Sequence, residues 1–145
     1  SGACVECGAY TFSAEASTAC LPCPSNSSSS PGSGSAGECT CMPGFEGPRG
    51  GPCSACPAGS FHDAETGNCV ECGAYTFSGE ASTTCHACPG NSSSPPGSGS
   101  ARECTCMPGF HGPPGGPCAD CGVGGWCVAG ERNECPPNST GVCGV

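Results

Sequence analysis

Cysteine dominates the chemistry available to this chain, at 19 of 145 residues. Paired Cys-x2-Cys knuckles recur along it. Cys4-x2-Cys7-x12-Cys20-x2-Cys23 and Cys69-x2-Cys72-x12-Cys85-x2-Cys88 have zinc-ribbon spacing, and two such knuckles supply the four thiolates that tetrahedral Zn²⁺ accepts. The competing chemistry is oxidation to disulfides, which this density signals in a short chain. Three features favour oxidation. A further knuckle at Cys53/Cys56 and Cys118/Cys121 breaks the two-knuckle pattern, Cys39/Cys41 would be surplus ligands, and the chain lacks a basic surface. No metal and no other cofactor is expected.

Asparagine offers the second chemistry. Asn26-Ser27-Ser28, Asn91-Ser92-Ser93 and Asn138-Ser139-Thr140 are N-glycosylation acceptors with no Pro at the middle position. Ser27, Ser28, Ser92 and Ser93 are candidates for O-linked sugar, and Pro31, Pro95 and Pro96 for hydroxylation followed by O-glycosylation. Catalysis has little to work with. His62, His86 and His111 are scattered, Asp63 and Glu65 form a lone acidic pair in "FHDAETGN", and Cys85 beside His86 is expected to be oxidised. A non-enzymatic chain is the expectation.

The elements that position these groups follow from a repeat. Every cysteine from Cys4 to Cys56 returns sixty-five positions later, from Cys69 to Cys121, and only eleven aligned positions differ. The spacing divides the chain into residues 1–68, residues 69–121 and a divergent segment 122–145 holding Cys127, Cys135 and Cys143. A shorter period sits inside: Cys7, Cys56 and Cys72 each open C-x4-F-x7-C, and "CGVGGW" at Cys121 keeps an aromatic at the same place. Phe12, Phe61, Phe77 and Trp126 are expected to pack on neighbouring disulfides. The Ser/Gly/Pro tracts from Pro24 and Pro89 can form neither a helix nor a central strand and should be exposed loops. "GFEGPRGGP" and "GFHGPPGGP" are too short for a collagen helix.

Composition narrows the class further. Leu21 is the only leucine and isoleucine is absent, so an ordinary apolar core cannot be built and covalent staples must replace it. The predicted fold is small and disulfide-rich: short β-ribbons and loops in a solenoid-like tandem array of cysteine-rich modules, with little or no α-helix. Cytosolic thiols stay reduced, so the chain is expected to be secreted or at the cell surface. With three Lys+Arg against twelve Asp+Glu, a net charge of −9 disfavours nucleic acid and anionic membranes. No apolar run reaches a membrane span. The opening Ser1-Gly2-Ala3-Cys4 has no signal-peptide pattern and reads as a processed chain or an excerpt.

Connectivity cannot be read from sequence alone. The economical scheme joins consecutive cysteines: Cys7–Cys20, Cys23–Cys39, Cys41–Cys53, Cys56–Cys69, Cys72–Cys85, Cys88–Cys104 and Cys106–Cys118. Cys121, Cys127, Cys135 and Cys143 then pair among themselves. Cys4 is left over, separated from a partner upstream or linking chains. Crossed pairing within Cys-x2-Cys groups is the rival scheme.

"CTCMPGFEGPRGGPC" (Cys39 to Cys53) resembles the C-terminal half of an EGF module, with its C-x-C-x2-G-F-x-G signature. That resemblance implies a Cys41–Cys53 bond. "CPAGSFHDAETGNCVEC" (Cys56 to Cys72) resembles the short ephrin-receptor-like cysteine-rich repeat. The acidic calcium-binding element of some EGF modules is missing, so calcium is not implied. Near-identical copies, Ser/Pro tracts and acidity are similar to algal and protist surface proteins, including those of flagellar hairs (mastigonemes). The resemblance implies a structural glycoprotein whose partners are copies of itself or related repeats in a polymer, with covalent glycans. A receptor or adhesin ectodomain binding a protein or carbohydrate is the alternative, and a zinc-ribbon protein a remote one.

Overall fold

A computed structural model describes residues 5–137. Within it the chain is a small disulfide-rich tandem array. The regular structure consists of paired short strands and two 3₁₀ turns, Ala36–Glu38 and Ala101–Glu103, and there is no α-helix among the described residues. By internal contacts the chain divides into two compact units, Ser1–Cys56 with His62–Val70 and Pro57–Phe61 with Glu71–Val145.

One local plan is used throughout. A cysteine is followed by a tight turn, a short strand, a loop and a second short strand that pairs antiparallel with the first. Thr11–Phe12 pairs with Leu21–Pro22, Ser27–Ser28 with Thr40–Cys41, and Phe45–Glu46 with Ser54–Ala55. The later pairs are Thr76–Phe77 with His86–Ala87, Ser92–Ser93 with Thr105–Cys106, and Phe110–His111 with Ala119–Asp120. The longest strands, Ser60–Asp63 with Asn68–Glu71 and Gly125–Val128 with Glu131–Glu134, complete the set. Two-stranded ribbons this short are not stable alone in water. Disulfides supply the closure.

The bonds join consecutive cysteines: Cys7–Cys20, Cys23–Cys39, Cys41–Cys53, Cys56–Cys69, Cys72–Cys85, Cys88–Cys104, Cys106–Cys118 and Cys121–Cys127. Cys135 is also disulfide-bonded. Cys4, Cys143 and Asn138 lie outside the described residues. Each of the first seven bonds closes a loop of 12 to 16 residues, worth ~3 kcal/mol in the chain-entropy model.

The interior is made of sulfur and hydroxyl groups. Among the described residues the buried apolar ones are all cysteines, with Cys39 and Cys56 fully enclosed; the other buried side chains are serines, and Ser78 and Ser98 are at 0% exposure. Phe12, Phe61, Phe77 and Trp126 are only half-buried, so the fully enclosed side chains are cysteine and serine rather than aromatic. Buried serine is tolerable here because the hydroxyls are hydrogen-bonded. Among the described residues no buried side-chain nitrogen or oxygen lacks a partner.

The Ser/Gly/Pro tracts depart most from the sequence reading. They are not exposed loops throughout. Ser27, Ser29 and Ser33 are buried in the first tract, and Ser92, Ser94 and Ser98 in the second. Only Ser27–Ser28 and Ser92–Ser93 are strand, and the buried serines beyond them are held inward by hydroxyl bonds to backbone carbonyls. Hydrophobicity patterning cannot show this, because the same residue type occupies both faces.

Candidate functional site

The feature that recurs most strictly is the turn after each module's leading cysteine. Three residues beyond Cys7, Cys23, Cys41, Cys56, Cys72, Cys88, Cys106 and Cys121 stand Tyr10, Asn26, Gly44, Gly59, Tyr75, Asn91, Gly109 and Gly124. All eight have positive φ, between 60° and 91°. This is the left-handed position of a type II turn, which favours Gly or Asn. Six of the eight turns are closed by a backbone hydrogen bond: Thr11 N–H to Gly8 C=O (3.3 Å), Ser27 N–H to Pro24 C=O (3.2 Å), Phe45 N–H to Met42 C=O (3.0 Å), and likewise Ser60 to Pro57, Ser92 to Pro89 and Phe110 to Met107. In four of the five turns where a hydroxyl residue follows the left-handed one, Ser60 being the exception, that hydroxyl reinforces the turn. Thr11, Ser27, Thr76 and Ser92 donate their hydroxyls to Gly8, Pro24, Gly73 and Pro89 carbonyls at 2.6 to 2.7 Å.

The left-handed residue also links its module to the next. Its carbonyl accepts the following cysteine's N–H: Cys23 to Tyr10, Cys56 to Gly44, Cys72 to Gly59, Cys88 to Tyr75, Cys121 to Gly109 and Cys135 to Gly124, at 2.8 to 3.1 Å. After the two tracts the joint is Cys-x-Cys, one residue shorter. There the ladder shifts by one, Ser27 pairing with Cys41 itself, and Met42 and Met107 donate to Asn26 and Asn91 instead, both at 2.9 Å. Buried serines add a second link across neighbouring modules. Ser29 donates its hydroxyl to Thr11 C=O (2.8 Å), Ser78 to Ser60 C=O (2.8 Å) and Ser94 to Thr76 C=O (2.9 Å), each eighteen residues back. Sequence reasoning missed these links, although a serine at that constant spacing was the available signal.

Two of the three asparagines in acceptor tripeptides lie on this framework. Asn26 and Asn91 occupy the left-handed corner of equivalent turns, φ 60° and 62°, and are exposed. Neither side-chain amide has a hydrogen-bond partner among the described residues. Pro31, Pro95 and Pro96 are exposed, while Ser28 and Ser93 are half-buried. Ser27 and Ser92 are buried, at 5% and 4% exposure, and donate their hydroxyls to the Pro24 and Pro89 carbonyls.

The remaining reactive groups stand apart. His62, His86 and His111 are in three different modules, and the His86 ring lies 5.8 Å from the Phe77 ring across its ladder. Asp63 caps a turn. Its carboxylate accepts the Thr66 hydroxyl (2.8 Å) and the Glu65 N–H (3.1 Å), and these two bonds hold its pKa below the ordinary 3.8. The four cysteines of the complete zinc-ribbon motif, Cys69, Cys72, Cys85 and Cys88, are spread over three disulfides. As disulfides their sulfurs are not the thiolates that zinc requires.

Such a disulfide framework fits an extracellular structural or surface protein, and among the described residues no helix is long and apolar enough to cross a membrane. No model of a known protein family matches the chain, nor does the sequence of any curated protein.

Proposed function

We propose that this chain is a structural building block of an extracellular glycoprotein array, such as a flagellar hair, a cell-wall fibre or a comparable filament. The observation that carries the reading is repetition. One backbone module recurs with the same left-handed corner and, at six of its eight corners, the same carbonyl-to-cysteine link, and the two long copies differ at only eleven aligned positions. A ligand-reading surface needs local divergence, whereas a periodic scaffold needs the same face again and again. Its task is mechanical: disulfides hold each module, and copies of the chain or related repeats join in a polymer. Head-to-tail contacts between like units propagate unless they close into a ring.

Glycans on Asn26 and Asn91 belong to this reading, coating the surface and shielding a thinly packed interior from proteases. No catalytic role is assigned, and the acidic surface disfavours nucleic acid and anionic lipid as partners. Exposed Tyr10 and Tyr75, 58% and 56% accessible at equivalent corners, are what an adhesin or receptor would use instead. Immunogold labelling on the source cells tests the choice. Regular decoration along a filament supports the structural reading. Diffuse surface label that is lost on replacing Tyr10 and Tyr75 with Ser would support the adhesive one.

A further inference from the structure

We infer that sugar transfer to Asn26 and Asn91 is confined to the open, reduced chain, and that closure of Cys23–Cys39 and Cys88–Cys104 ends it. This rests on the reading of both asparagines as glycan acceptors and adds when, relative to folding, they can be used.

An acceptor site is a tripeptide, and the transferase must take hold of the asparagine amide and of the hydroxyl two residues on. In the folded chain the asparagine alone is presented. Asn26 projects at an exposed corner, but its carbonyl is held by Met42 N–H (2.9 Å). Ser27 is buried, with its N–H and its hydroxyl both given to Pro24 C=O. Ser28, which carries the required hydroxyl, is a half-buried strand residue paired with Thr40. The second site repeats the arrangement: Met107 N–H holds Asn91, Ser92 is buried on Pro89, and Ser93 pairs with Thr105. Ser29 and Ser94, one residue beyond, are fastened to Thr11 and Thr76. For a transferase to enclose the tripeptide, the strand must leave its ribbon. Cys23–Cys39 and Cys88–Cys104 bracket those ribbons and prevent it.

In the step itself, asparagine Nδ2 bonds to the anomeric carbon of a lipid-diphosphate-linked oligosaccharide. The bond from that carbon to the diphosphate breaks, the lipid diphosphate leaves with the electron pair, and the amide loses one proton to a base of the transferase. Nothing in the product is incompatible with the fold, because among the described residues the Asn26 and Asn91 amides have no partner to lose. The barrier lies in presenting the acceptor.

The test uses the full chain made without sugar in two states, oxidised and closed or reduced and alkylated. Each is incubated with microsomal membranes that hold the transferase and its lipid-linked donor, and occupancy is read by mass spectrometry, with Asn26→Gln and Asn91→Gln assigning the sites. The open chain is expected to be glycosylated at least about tenfold more than the closed one, which presents the tripeptide only through rare local opening. A second variant, Cys23→Ser with Cys39→Ser in the otherwise oxidised chain, is expected to gain transfer at Asn26 and not at Asn91. Equal transfer to open and closed chains would overturn the inference while leaving the acceptor reading intact. No transfer to the open chain would overturn both.

Discussion

At the scale of single residues, the backbone asks for left-handed corners and the sequence meets the demand unevenly. Gly59 meets it of necessity: a Cβ there would lie 2.0 Å from the Gly97 carbonyl oxygen. Ala16 and Ala81 meet it at a cost. They sit at φ 60° and 55° in equivalent turns, where an L side chain loses ~1 kcal/mol relative to glycine. Ala16→Gly and Ala81→Gly should each raise stability by up to about 1 kcal/mol, read from denaturant midpoints at unchanged slope. Ser78→Ala should do the reverse. It removes a fully buried hydroxyl from the Ser60 carbonyl and should cost about 1 to 2 kcal/mol. Asp63 gives a pH signature. Its pKa is lowered by the Thr66 hydroxyl and the Glu65 N–H, so its contribution is present above the ordinary aspartate value and is lost as pH falls through the lower folded one. Titration by NMR should place this carboxyl below the usual range, and Thr66→Val should move it back up.

At the scale of elements, the unit is a corner, a ribbon and a disulfide, and every ribbon is too short to stand without its bond. Removing Cys72–Cys85 by Cys72→Ala with Cys85→Ala should cost ~3 kcal/mol and open the 73–84 loop to proteolysis before the rest. Much of this level is legible in the sequence. Cysteine spacing leaves consecutive pairing as the economical scheme beside a crossed one, and the recurring C-x4-F and the near-lack of leucine and isoleucine point to short ribbons without α-helix, as found among the described residues. The two serine tracts do not follow. "CPSNSSSS" and "CPGNSSSP" are the same module as "CGAYTF", with serine in place of the aromatic and asparagine at the corner. A serine strand carries no hydrophobic alternation, and burial of Ser27, Ser29 and Ser94 depends on backbone carbonyls eighteen or three residues away. The tail is a further case. Its cysteines leave the repeat grid, yet Gly124 keeps the left-handed corner and Cys135 N–H still reaches its carbonyl at 3.0 Å. Local backbone chemistry held there while the disulfide moved to Cys121–Cys127.

At the scale of the whole molecule, covalent closure stands in for a core. A chain with so few apolar residues folds because serial disulfides restrict the open state and because its buried hydroxyls are hydrogen-bonded. The same closure explains why an acidic, sugar-bearing, protease-resistant scaffold is the function proposed. The most direct test is disulfide mapping of the protein purified from its source under non-reducing conditions, with metal and sugar analysis of the same sample. Arg49, Arg102 and Arg132 are the only basic side chains, so trypsin cuts too rarely and partial reduction with stepwise alkylation is the suitable method. The account predicts Cys7–Cys20, Cys23–Cys39, Cys41–Cys53, Cys56–Cys69, Cys72–Cys85, Cys88–Cys104 and Cys106–Cys118 in an oxidised chain carrying sugar on Asn26 and Asn91. Free thiols with stoichiometric zinc and no sugar would contradict it.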